Sequence, residues 1–336
     1  MQVRSSIIVA PRPPLGKVGI VIANFNGAQL IGKCLSSLVK KTDYPNYEVI
    51  VVDNGSSDGS PEVIRDICPS AHVIQNRINI GFARANNQGI RVALSRGADF
   101  VLLLNNDIEV VREDWLAQLV RFLVANDEVG IVGCKLLFPD GRLESAGGYL
   151  QTDGVHSYGF GERDRGQYDD VREIDLVSGA ALLVKKDVLL KAGLLDETYS
   201  PVYFEEIEFC FRARSMGFKA YYLPSAVLVH HARATTSRFP MLSYYSFHKN
   251  RLRFQLSHYP IEELVKTVPY QVATILSSLI GRAGRSWRGV PRARLLALIV
   301  LAYLENLRES PHILRNRRPF AMIRNPHVRP QPFHNE

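Results

Sequence analysis

Through the first 135 residues, short apolar runs rich in β-branched residues alternate with stretches whose apolar positions recur every three to four residues. The runs Val18–Ala23, Glu48–Val52, Ala71–Gln75, Phe100–Leu104 and Gly130–Cys134 read as strands. Between them Gln29–Lys40, Pro61–Ile67, Ala83–Ser95 and Asp114–Ala125 read as helices. Strands apolar on both faces and separated by helices predict an α/β fold, a mostly parallel sheet covered on both sides. Ligands of such sheets bind beyond the carboxyl ends of the strands. From about 136 to 175 the rhythm breaks. LFPDGRLESAGG predicts a hairpin around Asp140-Gly141, and a charged loop follows at Gly161–Asp170. Glu205–Met216 returns to helix, Lys219–Tyr222 and Val227–Val229 to short strands, and the pattern beyond Met241 is helical nearly to Arg315.

Three strand ends carry polar clusters: Asn24-Phe25-Asn26-Gly27, Asp53-Asn54-Gly55-Ser56-Ser57-Asp58-Gly59 and Asn105-Asn106-Asp107. Any one of them is ordinary turn and capping chemistry. Together, after parallel strands, they converge on one rim. Asp53 at the end of the second strand suits a nucleoside, but the first turn has no GxGxxG, which argues against a dinucleotide. Asp107 can hold a hard divalent cation if diphosphate oxygens and water complete the shell.

A second cluster, Tyr203-Phe204-Glu205-Glu206-Ile207-Glu208, opens a helix. Acids there compensate the helix dipole. Set among aromatic and apolar residues, they also suit a general base whose pKa is raised by burial. His230-His231 ends a strand, either as a structural imidazole or as a further metal ligand.

Composition changes the picture at one end of the chain. The 336 residues are 46% hydrophobic and 22% charged, with a net charge of +8, which excludes a disordered or collagen-like chain. Residues 281–336 hold 11 Arg, no Lys and 3 Glu, so the whole excess lies there and the rest balances. Val265–Ile280 and Leu295–Leu304 are apolar helical segments flanking several of those arginines. They either pack on the body of the protein or lie as an interfacial hairpin on an anionic inner leaflet. No aromatic stacking platform accompanies the arginines, so nucleic acid is not an expected partner. Four cysteines without CxxC spacing read as buried free thiols of a reducing compartment. With no signal peptide and no long apolar span, the expected location is the cytoplasm, peripheral to the inner membrane if the hairpin docks.

In order and spacing, VGIVIANFNG, YEVIVVDNGSSDGS, NRINIGFARANNQGI, FVLLLNNDIEV, VSGAALLVKKDVLLKAGLLDE, YFEEIEFCFRAR and VLVHH resemble the family 2 inverting glycosyltransferases of GT-A fold, in particular bacterial rhamnosyltransferase-like members. The resemblance implies a GT-A domain over 17–240, after a tail at 1–16. A helical region, 241–316, and a Pro/Arg tail, 317–336, follow. It implies nucleotide contacts at Ala23, Asn24, Phe25, Asn26, Asp53, Asn54, Asn79, Gly81, Asn86, Asn105 and Asn106. A cation, Mg²⁺ or Mn²⁺, falls to Asp107 and His230, and acceptor contacts to Gly179 and Tyr203. The base falls to Glu206, with Glu205 as the rival, because the acidic pair here is Glu-Glu where the family usually has Glu-Asp. The DxD motif keeps only its last aspartate.

The implied reaction moves a sugar, rhamnose on family grounds, from a dTDP- or UDP-sugar to a glycan or lipid-linked saccharide in cell-surface polysaccharide synthesis. Two other functions compete. A sugar nucleotidyltransferase should carry a basic Gly-rich loop after the first strand, and NFNGAQL has no basic residue. A non-catalytic glycan- or lipid-binding subunit should lack the carboxylates that stand at 107 and 206.

Overall fold

The computed structural model describes residues 15–152, 154–232, 238–280 and 290–319, without the side chains of 277–280. Arg282, Arg285, Arg288 and the final Pro/Arg tail beyond 319, like residues 1–14, lie outside that range. Apart from the short β5, the first half follows the sequence pattern: β1 (Val18–Asn24), α1 (Ala28–Lys41), β2 (Tyr47–Asp53), α2 (Ser60–Ile67), β3 (His72–Gln75), α3 (Phe82–Ser95), β4 (Phe100–Leu104), β5 (Ile108–Val110), α4 (Trp115–Ala125) and β6 (Val129–Leu137). The second half holds β7 (Leu143–Ser145), β8 (Gly148–Gln151), β9 (Gly154–Ser157), β10 (Arg172–Ile174), β11 (Ala181–Lys185), α5 (Lys186–Ala192), α6 (Glu205–Ser215) and β12 (Lys219–His230). Helices α7 (Pro240–His258), α8 (Ile261–Ile280) and α9 (Arg292–Arg315) follow.

Ten strands form one sheet with the central order β10-β12-β6-β11-β4-β1-β2-β3. Strands β3, β2, β1, β4, β6 and β12 run the same way, and β11 enters reversed between β4 and β6. Both faces are apolar, as expected for a covered sheet. On β1, Val18, Ile20 and Ile22 join a core beneath α1, α2 and α4, while Val21 faces the core beneath α3, α5 and α6. Helix α3 lies close on the sheet because Gly89 has no side chain. A Cβ there would sit 2.3 Å from Val21 Cγ1. All four cysteines are buried and unpaired.

Three features depart from the sequence pattern. Strand β11 and helix α5 were not visible as a turn of the rhythm, because AALLVKKDVLL is apolar at strand and helix spacing alike. The two short strands expected at 219–229 are one, β12, continued through a register shift between Leu223 and Val227 that accommodates Pro224. The hairpin at Asp140-Gly141 joins β6 to β7 as expected, but β5 was not expected at all.

The C-terminal helices pack on the body through α7. Helix α9 lies along α7, where Asn306 donates to the Lys249 carbonyl at 3.0 Å and Arg253 pairs with Glu309. Among the described residues no helix is long and apolar enough to cross a membrane.

Candidate active site

Because the six co-directional strands end on one edge, Asn24, Asp53, Asn105 and His230 are delivered to the same rim. The side chains there are mostly buried and mutually bonded. Asn24 donates to Asp53 Oδ1 at 3.1 Å and accepts from Asn106 Nδ2 at 2.7 Å, while Asp53 Oδ2 accepts the backbone N–H of Ser56 at 3.1 Å. Each Asp53 oxygen has one protein partner and keeps a lone pair for another donor. Ser56 Oγ accepts from the Asn26 N–H at 2.8 Å, and Asn26 Oδ1 accepts from the Ser57 N–H, also at 2.8 Å. This ties the two turns together. Gly27 has to be glycine, since a Cβ would lie 2.6 Å from Asn106 Nδ2. Arg238, just before α7, donates to the Asn26 carbonyl, and Phe239 packs on Phe25 with ring centroids 6.2 Å apart.

Three of the expected nucleotide-binding side chains have work inside the protein. Asn54 donates to Asn79 Oδ1 (2.8 Å) and to the Gly81 carbonyl, and accepts from Asn76 Nδ2 and the Ile80 N–H. Its amide is fully occupied in bracing the loop before α3. Asn79 closes that loop by accepting from the Gly81 N–H at 2.9 Å. Asn86 turns its amide back to the Phe82 carbonyl of its own helix. Gly81 is required for its backbone: φ is +91°, and a Cβ would press on Ser200.

The second corner exists because β5 pairs antiparallel with the end of β12, placing Ile108 opposite His230. Asp107 Oδ1 then lies 3.0 Å from His230 Nε2, and Glu144 Oε2 on β7 lies 2.7 Å from His230 Nδ1. Burial acts to lower the His230 pKa, but hydrogen bonds to Asp107 and Glu144, with their charges, outweigh it and raise it to about 10. Asp107 and His230 also fit a divalent cation. Their separation matches adjacent corners of an octahedral shell of ~2.1 Å bonds. A cation would displace the Nε2 proton, and Glu144, accepting from the far nitrogen, would then hold the ring with its Nε2 lone pair toward the site. Among the described residues no third carboxylate or imidazole completes a cage, so substrate oxygens would have to fill the shell.

The third group sits at the start of α6. Tyr203 and Phe204 both have positive φ (79° and 77°), a strained pair for non-glycine residues. The turn is held from α7: the fully buried Asn250 donates to the carbonyls of Tyr199 (2.6 Å), Val202 (2.9 Å) and Tyr203 (2.9 Å), and Lys249 Nζ donates to that of Ser200. Of the three acids that follow, Glu208 is neutralised by Arg212 through contacts of 2.8–3.2 Å. Among the described residues Glu205 and Glu206 have no such cation, and one carboxylate oxygen of each is buried without a partner. Burial, then the neighbouring Glu206 charge, pushes the Glu205 carboxyl well above its ordinary range, and burial raises that of Glu206. Glu205 is enclosed, whereas Glu206 is half-buried and lies against Gly179, where a Cβ would come within 3.1 Å of Glu206 Cγ.

The profile of the family described as glycosyl transferase family 2 matches residues 19–189, just over half of the chain. This protein belongs to glycosyl transferase family 2. The chain is 31% identical over 238 residues to the uncharacterised protein y4gI of Sinorhizobium fredii (strain NBRC 101917 / NGR234). That match takes in 65% of this chain but only 25% of the longer y4gI protein. It is 24% identical over 260 residues to the N-acetylglucosaminyl-diphospho-decaprenol L-rhamnosyltransferase of Mycobacterium tuberculosis (strain ATCC 25618 / H37Rv), covering 70% of this chain and 82% of that enzyme. Among solved structures it resembles the mannosyltransferase PcManGT from Pyrobaculum calidifontis in complex with GDP-Man and Mn²⁺. There the TM-score is 0.54 at 19% identity over 90% of this chain and 84% of the other, a likeness of fold that agrees with the GT-A architecture.

Four residues of the candidate site were not singled out by sequence reasoning. Glu144 sits in a hairpin that the sequence placed correctly but gave no chemistry. Ser56 lies within a named cluster. Asn250 and Arg238 come from the C-terminal side, more than 40 and 200 residues from the groups they touch. No local spacing could have announced them.

Proposed function

We propose that this glycosyltransferase transfers a sugar, with inversion, from a nucleoside-diphosphate sugar to a hydroxyl of a glycan or lipid-linked saccharide during polysaccharide synthesis. The observation that carries the reading is the single strand-end rim bearing both Asp53 with the Asn24 turn and the Asp107–His230 pair 3.0 Å apart. Asp53 and the Asn24–Asn26 turn hold the nucleoside. Asp107 and His230 would hold Mg²⁺ or Mn²⁺, which when bound would supply charge neutralisation for a departing diphosphate. Glu206, its carboxylate lacking a cation, takes the proton of the acceptor hydroxyl. The acceptor oxygen forms its bond to the anomeric carbon from the face opposite the diphosphate, whose oxygen leaves with the electron pair of the broken bond. One displacement inverts the centre. Rhamnose from a dTDP-sugar is the donor to try first, given the rhamnosyl relative, with UDP-sugars second.

Isothermal titration with UDP, dTDP and GDP, each with Mn²⁺ and with EDTA, tests the donor site. One nucleotide should bind with Mn²⁺, lose that binding in EDTA, and lose it equally in Asp107→Ala. Absence of binding by all three to a folded chain refutes the donor site and favours a non-catalytic binding subunit.

A further inference from the structure

Helices α8 and α9 keep their polar contacts inward and turn apolar residues outward. Between them, Gln271 donates to Gln255 at 2.7 Å and Tyr303 bonds Gln271, fixing the pair to each other and to α7. On the outer side of α8, Val265, Val268, Val272 and Leu276 recur at helical spacing and are all exposed. On α9, Leu301, Leu304 and Leu307 do the same, at 52%, 56% and 68% exposure. A stable monomer rarely leaves so continuous an apolar stripe to water. The exposed charges that flank it are mainly basic: Lys266, Arg294, Arg308 and Arg315, against the acid Glu262. The acids Glu305 and Glu309 are part-exposed but are paired with Lys249 and Arg253.

We infer that the outer face of α8 and α9 docks on an anionic lipid bilayer, lying in the headgroup layer rather than crossing it. Apolar side chains insert between acyl chains while the flanking cations meet lipid phosphates. A second copy of this chain suits the face less well, because a twofold contact would set this basic surface against itself. The same helices reach the candidate base. Asn306 on α9 bonds the Lys249 carbonyl, and Lys249 and Asn250 bond the turn that leads into Glu205 and Glu206. The docked face therefore sets the acceptor side of the site at a fixed position relative to the bilayer. The docking does not depend on the identity of the donor.

The test is sedimentation of the full chain with vesicles of phosphatidylcholine alone and of phosphatidylcholine containing one third phosphatidylglycerol. The expected result is partition into the anionic vesicles at least ten-fold stronger than into the neutral ones, weakening as salt is raised. Leu304→Glu with Leu307→Glu should lower that partition at least ten-fold, and Arg294→Glu with Arg308→Glu should remove the preference for anionic lipid. Circular dichroism and nucleotide binding of both variants should match the parent, since none of these residues lies in the core or the rim. Failure of the parent to sediment with either vesicle overturns the inference, as does equal partition of the leucine variant. A dimer in light scattering that the leucine variant converts to a monomer also overturns it and assigns the face to self-association. Loss of nucleotide binding in the parent is a separate result, which refutes the donor site and leaves the docking intact.

Discussion

Replacing Asn250 by alanine tests whether the C-terminal helices are part of the catalytic apparatus. Asn250 is fully buried, and its amide nitrogen is the donor to the carbonyls of Tyr199, Val202 and Tyr203. Two amide hydrogens serve three acceptors, so alanine removes the equivalent of two full hydrogen bonds. Each buried acceptor left unmet costs about 1–3 kcal/mol, and some relaxation of the turn recovers part of this. A loss of about 2–4 kcal/mol in unfolding free energy follows. The turn it holds carries the positive-φ pair Tyr203 and Phe204, whose strain persists only while the surroundings over-determine it. Once released, the turn shifts the start of α6 and with it Glu206. Misplacement of a reacting group by about an ångström lowers kcat by ~100-fold, while nucleotide affinity, carried in this reading chiefly by Asp53 and the Asn24 turn, which Asn250 does not touch, should change far less. Urea unfolding followed by circular dichroism gives the first quantity, and initial rates with the donor identified by titration give the second. Asn250→Asp separates hydrogen bonding from packing. It keeps the size but sets a carboxylate against three carbonyl oxygens, and should be at least as damaging as alanine. An aspartate variant with parental stability and kcat would refute the reasoning.

Three further outcomes follow from the same geometry. Glu206→Gln should lower kcat by ~10²–10⁴ with nucleotide affinity unchanged. The same loss in Glu205→Gln, with Glu206→Gln near parental rates, would reassign the base. Gly179→Ala should lower kcat by ~10-fold, because the new methyl lies 3.1 Å from Glu206 Cγ; unaltered rates would mean that Glu206 does not work in its observed position. Glu205 and Glu206 bind protons in the folded chain above the ordinary glutamate value of 4.5. The folded state thus holds more protons than the unfolded one, and stability falls as pH rises from that value through the folded pKa. Glu205→Gln should therefore lose less stability than the parent between about pH 5 and pH 8, and parallel slopes in urea unfolding at the two pH values would refute this.

The covered α/β sheet, strands β1 to β4 and β6 with helices α1 to α4, and the strand-end clusters were legible in the sequence. Apolar periodicity is a local signal, and turn residues mark where strands end. The same holds for the place of the acidic cluster at the start of a helix and of Asp107 at a strand mouth. What the sequence could not separate were segments whose apolar spacing suits strand and helix equally, such as β11 with α5, which reverses direction inside an otherwise co-directional sheet. Residue type alone also gave Glu205, Glu206 and Glu208 equal standing. Tertiary structure divided them, by giving Arg212 to Glu208, enclosing Glu205 and leaving Glu206 beside Gly179. It likewise gave Asn54, Asn79 and Asn86 bonds inside the protein, and of the three the Asn54 amide has both its oxygen and its nitrogen taken up there. Asp107 and His230 are 123 positions apart and meet only because a three-residue strand pairs with the end of β12. Asn250 reaches the Tyr203 turn only because α7 folds back across it. The sequence by itself determined which chemistry was present and on which kind of fold. Only the tertiary structure decided which groups meet, since hydrogen bonds and ion pairs depend on separation in space, and position along the chain does not encode that separation.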